Sequence, residues 1–210
     1  MPRPSNTEER QAQITEALMK VMAKRGYDGA SVADIARAAH LTPGLVHYHF
    51  KSKQDVLLAA LRRLVARHDA NLETRLGEAG GDPLAEVAAF IDFHVGLGSD
   101  ADPDALACWI LLSGEALRAP KVRIAFEKAI EDTVARLARV IRAGVEQRAF
   151  ACDAIDAAAS ALVAAIQGYF VLAATARASI PKGSAAACTR RMAEGLLRPA
   201  GAFPRSEARS

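Results

Sequence analysis

Residues 31–53 read SVADIARAAHLTPGLVHYHFKSK, and this stretch decides the fold. Ser31, with Asp34 three residues on, is a helix-opening pair: hydroxyl and carboxylate each take a backbone N–H that the first turn leaves free. Val32, Ile35, Ala36 and Ala39 then fall at i, i+3, i+4 and i+7, one face of a helix. A second start follows at Thr42-Pro43, where threonine caps and proline takes the first helical position, at which a missing N–H costs nothing. Ser52 opens a further helix with Asp55 at its third position. A helix of about nine residues, a turn of about three and a second short helix form the outline of a DNA-binding helix-turn-helix.

The match extends beyond outline. The apolar first helix ends in Arg25-Gly26-Tyr27, followed by Ser31-Val32-Ala33-Asp34-Ile35-Ala36 and Leu41-Thr42-Pro43-Gly44. Tyr48-His49-Phe50-Lys51-Ser52-Lys53 and Leu57-Leu58 complete the pattern. On these residues, 10–60 resembles the N-terminal domain of the TetR family of bacterial repressors, departing from it at His47, where the family usually carries tyrosine. The stretch from Trp109 to Arg148 also faintly resembles the choline-sensing branch of TetR-type regulators.

A chain of 210 residues can bury a sizeable core. It is rich in alanine and poor in aromatics, which suits closely packed helices. The formal charge of +3 is local: residues 1–53 carry eight Lys and Arg against five Asp and Glu, leaving the remainder neutral. Cys108, Cys152 and Cys188 lie far apart, with no CxxC or Cys/His grouping, so neither zinc nor a disulfide framework is expected. The polar start MPRPSNTEERQ lacks the apolar core of a signal peptide, and a cytoplasmic protein is expected.

The whole chain reads as helices. The first puts Ile14, Leu18, Val21 and Met22 on one face and stops at Gly26; the fourth runs from Ser52 towards Leu76. Gly77-Glu78-Ala79-Gly80-Gly81 interrupts it as a candidate hinge. Asp82-Pro83 and Asp102-Pro103 restart helices by the logic of Thr42-Pro43, and a long helix spans about 121–148. Residues 154–176 are apolar nearly all round, long enough for a membrane span. Asp156, Ser160, Gln167 and the many alanines favour burial in a protein or an interface instead, so no membrane partner is expected. A final helix at about 184–197 turns Cys188, Met192 and Leu196 to one side. The expected class is all-α: a three-helix helix-turn-helix domain over 8–53, a larger helical ligand-binding and dimerisation domain over 54–198, and a disordered tail over 199–210.

In the second helix of the motif, Leu41, Val46 and Phe50 are expected inward, leaving Thr42, Pro43, Gly44, His47 and Tyr48 towards a groove. Thr42 can donate to phosphate, and the helix start itself attracts phosphate. Pro43 and Gly44 permit close approach to base edges and thymine methyls, and with no Arg, Gln or Asn projecting, DNA shape shares the readout. Ser31 joins this DNA-facing set. The TetR resemblance implies phosphate contacts at Tyr48, His49, Lys53 and, by position, His47.

His47 and His49 point about 200° apart on a helix with no third ligand near, so structural or phosphate-facing histidines are expected rather than a metal pair. Ser113, His94 and Asp92 could form a catalytic trio on paper, but no nucleophile elbow surrounds them, and Gly96-x-Gly98 lacks the strand of a dinucleotide site. No enzyme activity, cofactor or metal is expected. Phe90, Phe93, His94, Trp109, Phe126, Gln167, Tyr169 and Phe170 could line a mostly apolar pocket for a small-molecule effector, although each could equally be core. The expected partners are double-stranded operator DNA, that effector and a second copy. The resemblance implies a four-helix homodimer interface from the last two helices, and a two-fold protein suits a palindromic operator. The function expected is a repressor released from its operator by a small molecule. The alternative is a helical small-molecule-binding or scaffold protein without DNA binding.

Overall fold

The computed structural model describes residues 6–96 and 103–204. Among these residues there are nine α-helices: α1 (Asn6–Arg25), α2 (Val32–Ala38), α3 (Pro43–His49), α4 (Lys53–Glu78), α5 (Pro83–Val95), α6 (Pro103–Ala116), α7 (Pro120–Glu146), α8 (Ile155–Thr175) and α9 (Ser184–Leu197). Helices α2 to α5 begin at side chains that satisfy free N–H groups, whereas α8 and α9 start at Ala154 and Gly183 without a side-chain cap. Ser31 and Asp34 close a reciprocal capping box at α2. Thr42 caps α3 by accepting from Leu45 N, Ser52 accepts from Asp55 N at α4, and Asp82 accepts from Leu84 N at α5. Asp102, the cap expected for α6, lies outside the described residues.

The chain forms two compact units, one of residues 1–67 with 102–127, the other of 68–101 with 128–210. Both α4 and α7 run through the two. The boundary in the first half of the chain falls within α4, at Arg67–His68, whereas the sequence suggests one at 53–54. The glycine-rich turn at 77–81 lies inside the second unit, where Gly80 and Gly81 take positive φ (66° and 82°) to reverse the chain between α4 and α5. It is a helix–helix turn of that unit, not a hinge between units.

In the first unit, α1, α2, α3 and the start of α4 bury Ile14, Leu18, Met22, Ile35, Val46, Phe50, Leu57 and Leu61 in a shared core. Leu112 and Ala116 of α6 and Val122 of α7 complete it, and α6 packs on α1. In the second unit, α5 packs on α8 and α9 around Phe90, Ile91, Leu137, Ile141, Leu162, Ile166 and Leu197. Gly144 has no side chain because the Phe150 ring and Pro83 fill the space a Cβ would take. The tail expected to be disordered from residue 199 is packed as far as Pro204. Phe203 is buried against Phe150, Ala200 N donates to Ala149 O, and Arg190 reaches Pro204 O. One aromatic ring supplies the apolar anchor that a Pro/Gly composition hides. Residues 205–210 lie outside the described set.

Candidate functional site

The first candidate site is the outer face of α3. Val46 and Phe50 are buried and Leu41 is half-buried, while Thr42, Pro43, Gly44, His47 and Tyr48 are exposed, Tyr48 by 80%. The Tyr48 ring stands edge-on to His49 with ring centroids 5.1 Å apart. His49 is half-buried. Hydrogen bonds and a tight turn fix the motif locally. Gln13 Nε2 donates to Ala39 O at 2.6 Å, fixing α1 to the end of α2. Between α2 and α3 the backbone reverses at His40 with φ 54°, a conformation histidine tolerates better than most residues. Asp34 accepts from Arg37 at 2.8 Å, and hydrogen bonds from Ser31 hold its carboxyl below the usual carboxylate range.

Besides Thr42, which caps α3, two more of the expected DNA-facing residues have structural duties. The Ser31 hydroxyl is engaged on both sides by Asp34, accepting from its N–H at 3.1 Å and donating to its carboxylate at 2.5 Å. Lys53 donates to Tyr27 O at 2.9 Å with its ammonium 4.1 Å from the Tyr27 ring centroid, tying the start of α4 to the turn after α1. An ammonium has three donors, so two remain for a phosphate.

The second candidate site lies in the second unit. Phe90, Phe93 and His94 of α5 meet Phe170 of α8 and His68 of α4. Ring centroids lie 4.3 Å (Phe90), 5.3 Å (Phe93), 4.9 Å (His68) and 6.4 Å (Phe170) from that of His94. His94 is buried with Nδ1 2.7 Å from Phe90 O; burial, with His68 close by, pushes its pKa down to about 3. Burial also lowers the pKa of His68, against the pull of Asp69 at 3.5 Å. Arg136 in turn pairs with Asp69 and Glu73 at 3.4 and 2.5 Å. Tyr169 is half-buried against the same core, and Gln167 of α8 is half-buried. Trp109 and Phe126, expected in one pocket with these residues, pair with each other at 4.5 Å among the residues of the first unit.

His68 escaped the sequence reading, yet it left a signal. Leu61, Leu64, Val65, Leu72 and Leu76 mark an apolar stripe along α4, and His68 occupies the stripe position between Val65 and Leu72. The paper trio of Ser113, His94 and Asp92 is not assembled: Ser113 donates to Ile110 O in the first unit, Asp92 pairs with Arg190 of α9, and His94 turns Nδ1 to a carbonyl.

The fold and the α3 face together define a class, the helix-turn-helix transcriptional regulators. Residues 14–60 match the family model for bacterial regulatory proteins of the tetR family, and residues 83–198 match that for the C-terminal region of BetI-type transcriptional repressors. The chain belongs to the TetR family of transcriptional regulators, with a BetI-type C-terminal region. The HTH-type transcriptional regulator BetI of Rhizobium meliloti is 30% identical over 126 residues, which take in 59% of this chain and 60% of that protein. The chain thus spans about 60% of the length of that curated relative. A transcriptional regulator from Saccharomonospora viridis, solved in complex with choline, matches with a TM-score of 0.81 at 25% identity, over 90% of this chain and 98% of that one. A TetR transcription regulator from Haloarcula marismortui shares the fold with a TM-score of 0.82 at 19% identity, over 90% of this chain and 99% of that one.

Proposed function

We propose that this chain is a cytoplasmic, homodimeric repressor that holds a palindromic operator through α3 and releases it when a small quaternary-ammonium molecule of the choline type enters the second unit. The exposed Thr42-Pro43-Gly44 start of α3, continued by His47 and Tyr48 on a helix capped by Thr42, carries the DNA reading. Thr42, His47, Tyr48, His49 and Lys53 supply donors to phosphates, while Pro43 and Gly44 let the backbone come close. Ser31 contributes by holding the start of α2.

Dimerisation rests on what α8 and α9 leave uncovered. Ala157, Ala161, Ala164 and Gly168 are exposed along one side of α8, with Val171 and Leu172 beyond them at 46% and 40% exposure. Met192, Leu196 and Cys188 are exposed on α9. Small residues let helices approach closely, and the larger apolar ones would bury surface against a second copy. Only 28% of the apolar window of α8 is buried, which suits an interface; one such helix is weak evidence for a membrane span.

The effector reading draws on the choline bound by the Saccharomonospora viridis regulator and on the ring cluster around His94. Aromatic faces attract a quaternary cation, and two histidines held neutral do not repel it. Since α4 starts at Lys53 beside α3 and carries His68 further along, one continuous helix joins the two candidate sites. A ligand that favours one placement of α4 shifts operator affinity by its difference in affinity for the two states, typically 5- to 150-fold. A gel-shift on the DNA flanking its own gene, repeated with choline, tests the proposal. A retarded complex that dissolves on adding choline supports it; no complex with folded protein favours the non-DNA-binding alternative.

A further inference from the structure

His94 holds an unused hydrogen-bond acceptor at the centre of the aromatic cluster. A carbonyl only accepts, so the 2.7 Å contact with Phe90 O places the imidazole proton on Nδ1. In the neutral ring, Nε2 then presents a bare lone pair. That nitrogen is buried with no hydrogen-bond partner among the described residues. Groups of this kind are few in native proteins, and each asks for a cause. The His94 ring is packed among rings from three helices, those of Phe90, Phe93, Phe170 and His68. The one cation whose field reaches both His68 and His94 among the described residues is Arg136, and Asp69 and Glu73 both pair with it.

We infer that His94 Nε2 accepts the hydroxyl hydrogen of the effector, making the site selective for a quaternary amino alcohol over a quaternary cation without a donor. This rests on the reading of the second unit as a quaternary-ammonium site. The trimethylammonium head lies against the ring faces while the hydroxyl, two carbons away, reaches Nε2. Phe93 and Phe170 are only half-buried, so their side of the cluster is where a ligand would approach, and admission requires these two rings to turn aside. The neutrality of His94 is essential, since an imidazolium would carry a second N–H where the ligand also donates and would repel the cation. An isostere with methyl in place of hydroxyl leaves Nε2 desolvated and unpaired, which is how polar sites reject analogues more sharply than apolar ones do.

The test is isothermal titration calorimetry of the full chain with choline and with propyltrimethylammonium, in which methyl replaces the hydroxyl. Wild type is expected to bind choline at least about tenfold more tightly. His94→Phe keeps an aromatic ring and removes the acceptor, so it should bind the two cations alike, while His94→Gln, which retains an acceptor oxygen, should restore a preference for choline. Should His94→Phe fail to fold, the wild-type comparison and His94→Gln decide. Equal binding of both cations by wild type, or a preference that survives in His94→Phe, overturns the inference and leaves the effector reading standing. Binding of neither cation overturns the effector reading and the inference with it.

Discussion

Replacing Gly44 by alanine separates the fold from DNA binding. Gly44 is the second residue of α3, exposed, and is not among the glycines with positive φ. An added Cβ would meet nothing nearer than Thr42 Oγ1 at 4.0 Å, so the free protein has room for it. Alanine in a helix is favoured over glycine by up to about 1 kcal/mol, which for a chain of this size raises Tm by roughly 2–4 °C at most. Against DNA the same methyl stands where the first turn of α3 approaches backbone and base edges. Forcing an extra methyl into a packed contact costs about 1–3 kcal/mol, equivalent to roughly 5- to 150-fold in Kd. Thermal unfolding and fluorescence anisotropy on DNA upstream of its own gene measure the two effects. The expected outcome is an unchanged or raised Tm with weakened binding. A variant of equal or higher Tm that binds as tightly as wild type would refute the placement of the α3 start against DNA.

Lys53→Ala is expected to weaken binding to all duplexes alike and to lower the salt slope of log K by about one phosphate contact; an unchanged slope would confine Lys53 to tethering Tyr27 O. Leu196→Arg puts a charge on the exposed apolar side of α9 and should give a monomer in micromolar sedimentation, whereas a persistent dimer would move the interface elsewhere. His94 makes stability pH-dependent. Its folded pKa of about 3 lies below the ordinary 6.5, so its contribution is present above the unfolded value and is lost as pH falls towards the folded one. Between pH 7 and 5 wild type should lose about 2 kcal/mol that His94→Phe does not lose. Parallel denaturation curves for the two proteins would contradict a buried neutral histidine.

The helix starts were legible because caps are local chemistry. Ser31/Asp34, Thr42/Pro43 and Asp82/Pro83 act within three residues, and α2, α3 and α5 begin beside them. The inward set of α3 was equally plain from spacing. The unit boundary at Arg67–His68 was not, since it crosses a continuous helix with no break in its pattern. Long-range packing also decided what composition obscured. Phe203 anchors a segment that reads as tail, and Trp109 joins Phe126 in the first unit while Phe93 and Phe170 gather in the second. Lys53 showed its charge in sequence, but nothing local announces that its ammonium ends on a carbonyl 26 residues earlier.

The most direct test of DNA recognition through α3 is selection of bound duplexes from a random-sequence pool by the full-length protein, followed by sequencing. The expected result is an enriched palindrome with half-sites about one helical turn apart, recovered by wild type and lost when His47 and Tyr48 are both replaced by alanine. A folded, dimeric protein that enriches no sequence, or a motif that survives that double replacement unchanged, would contradict it.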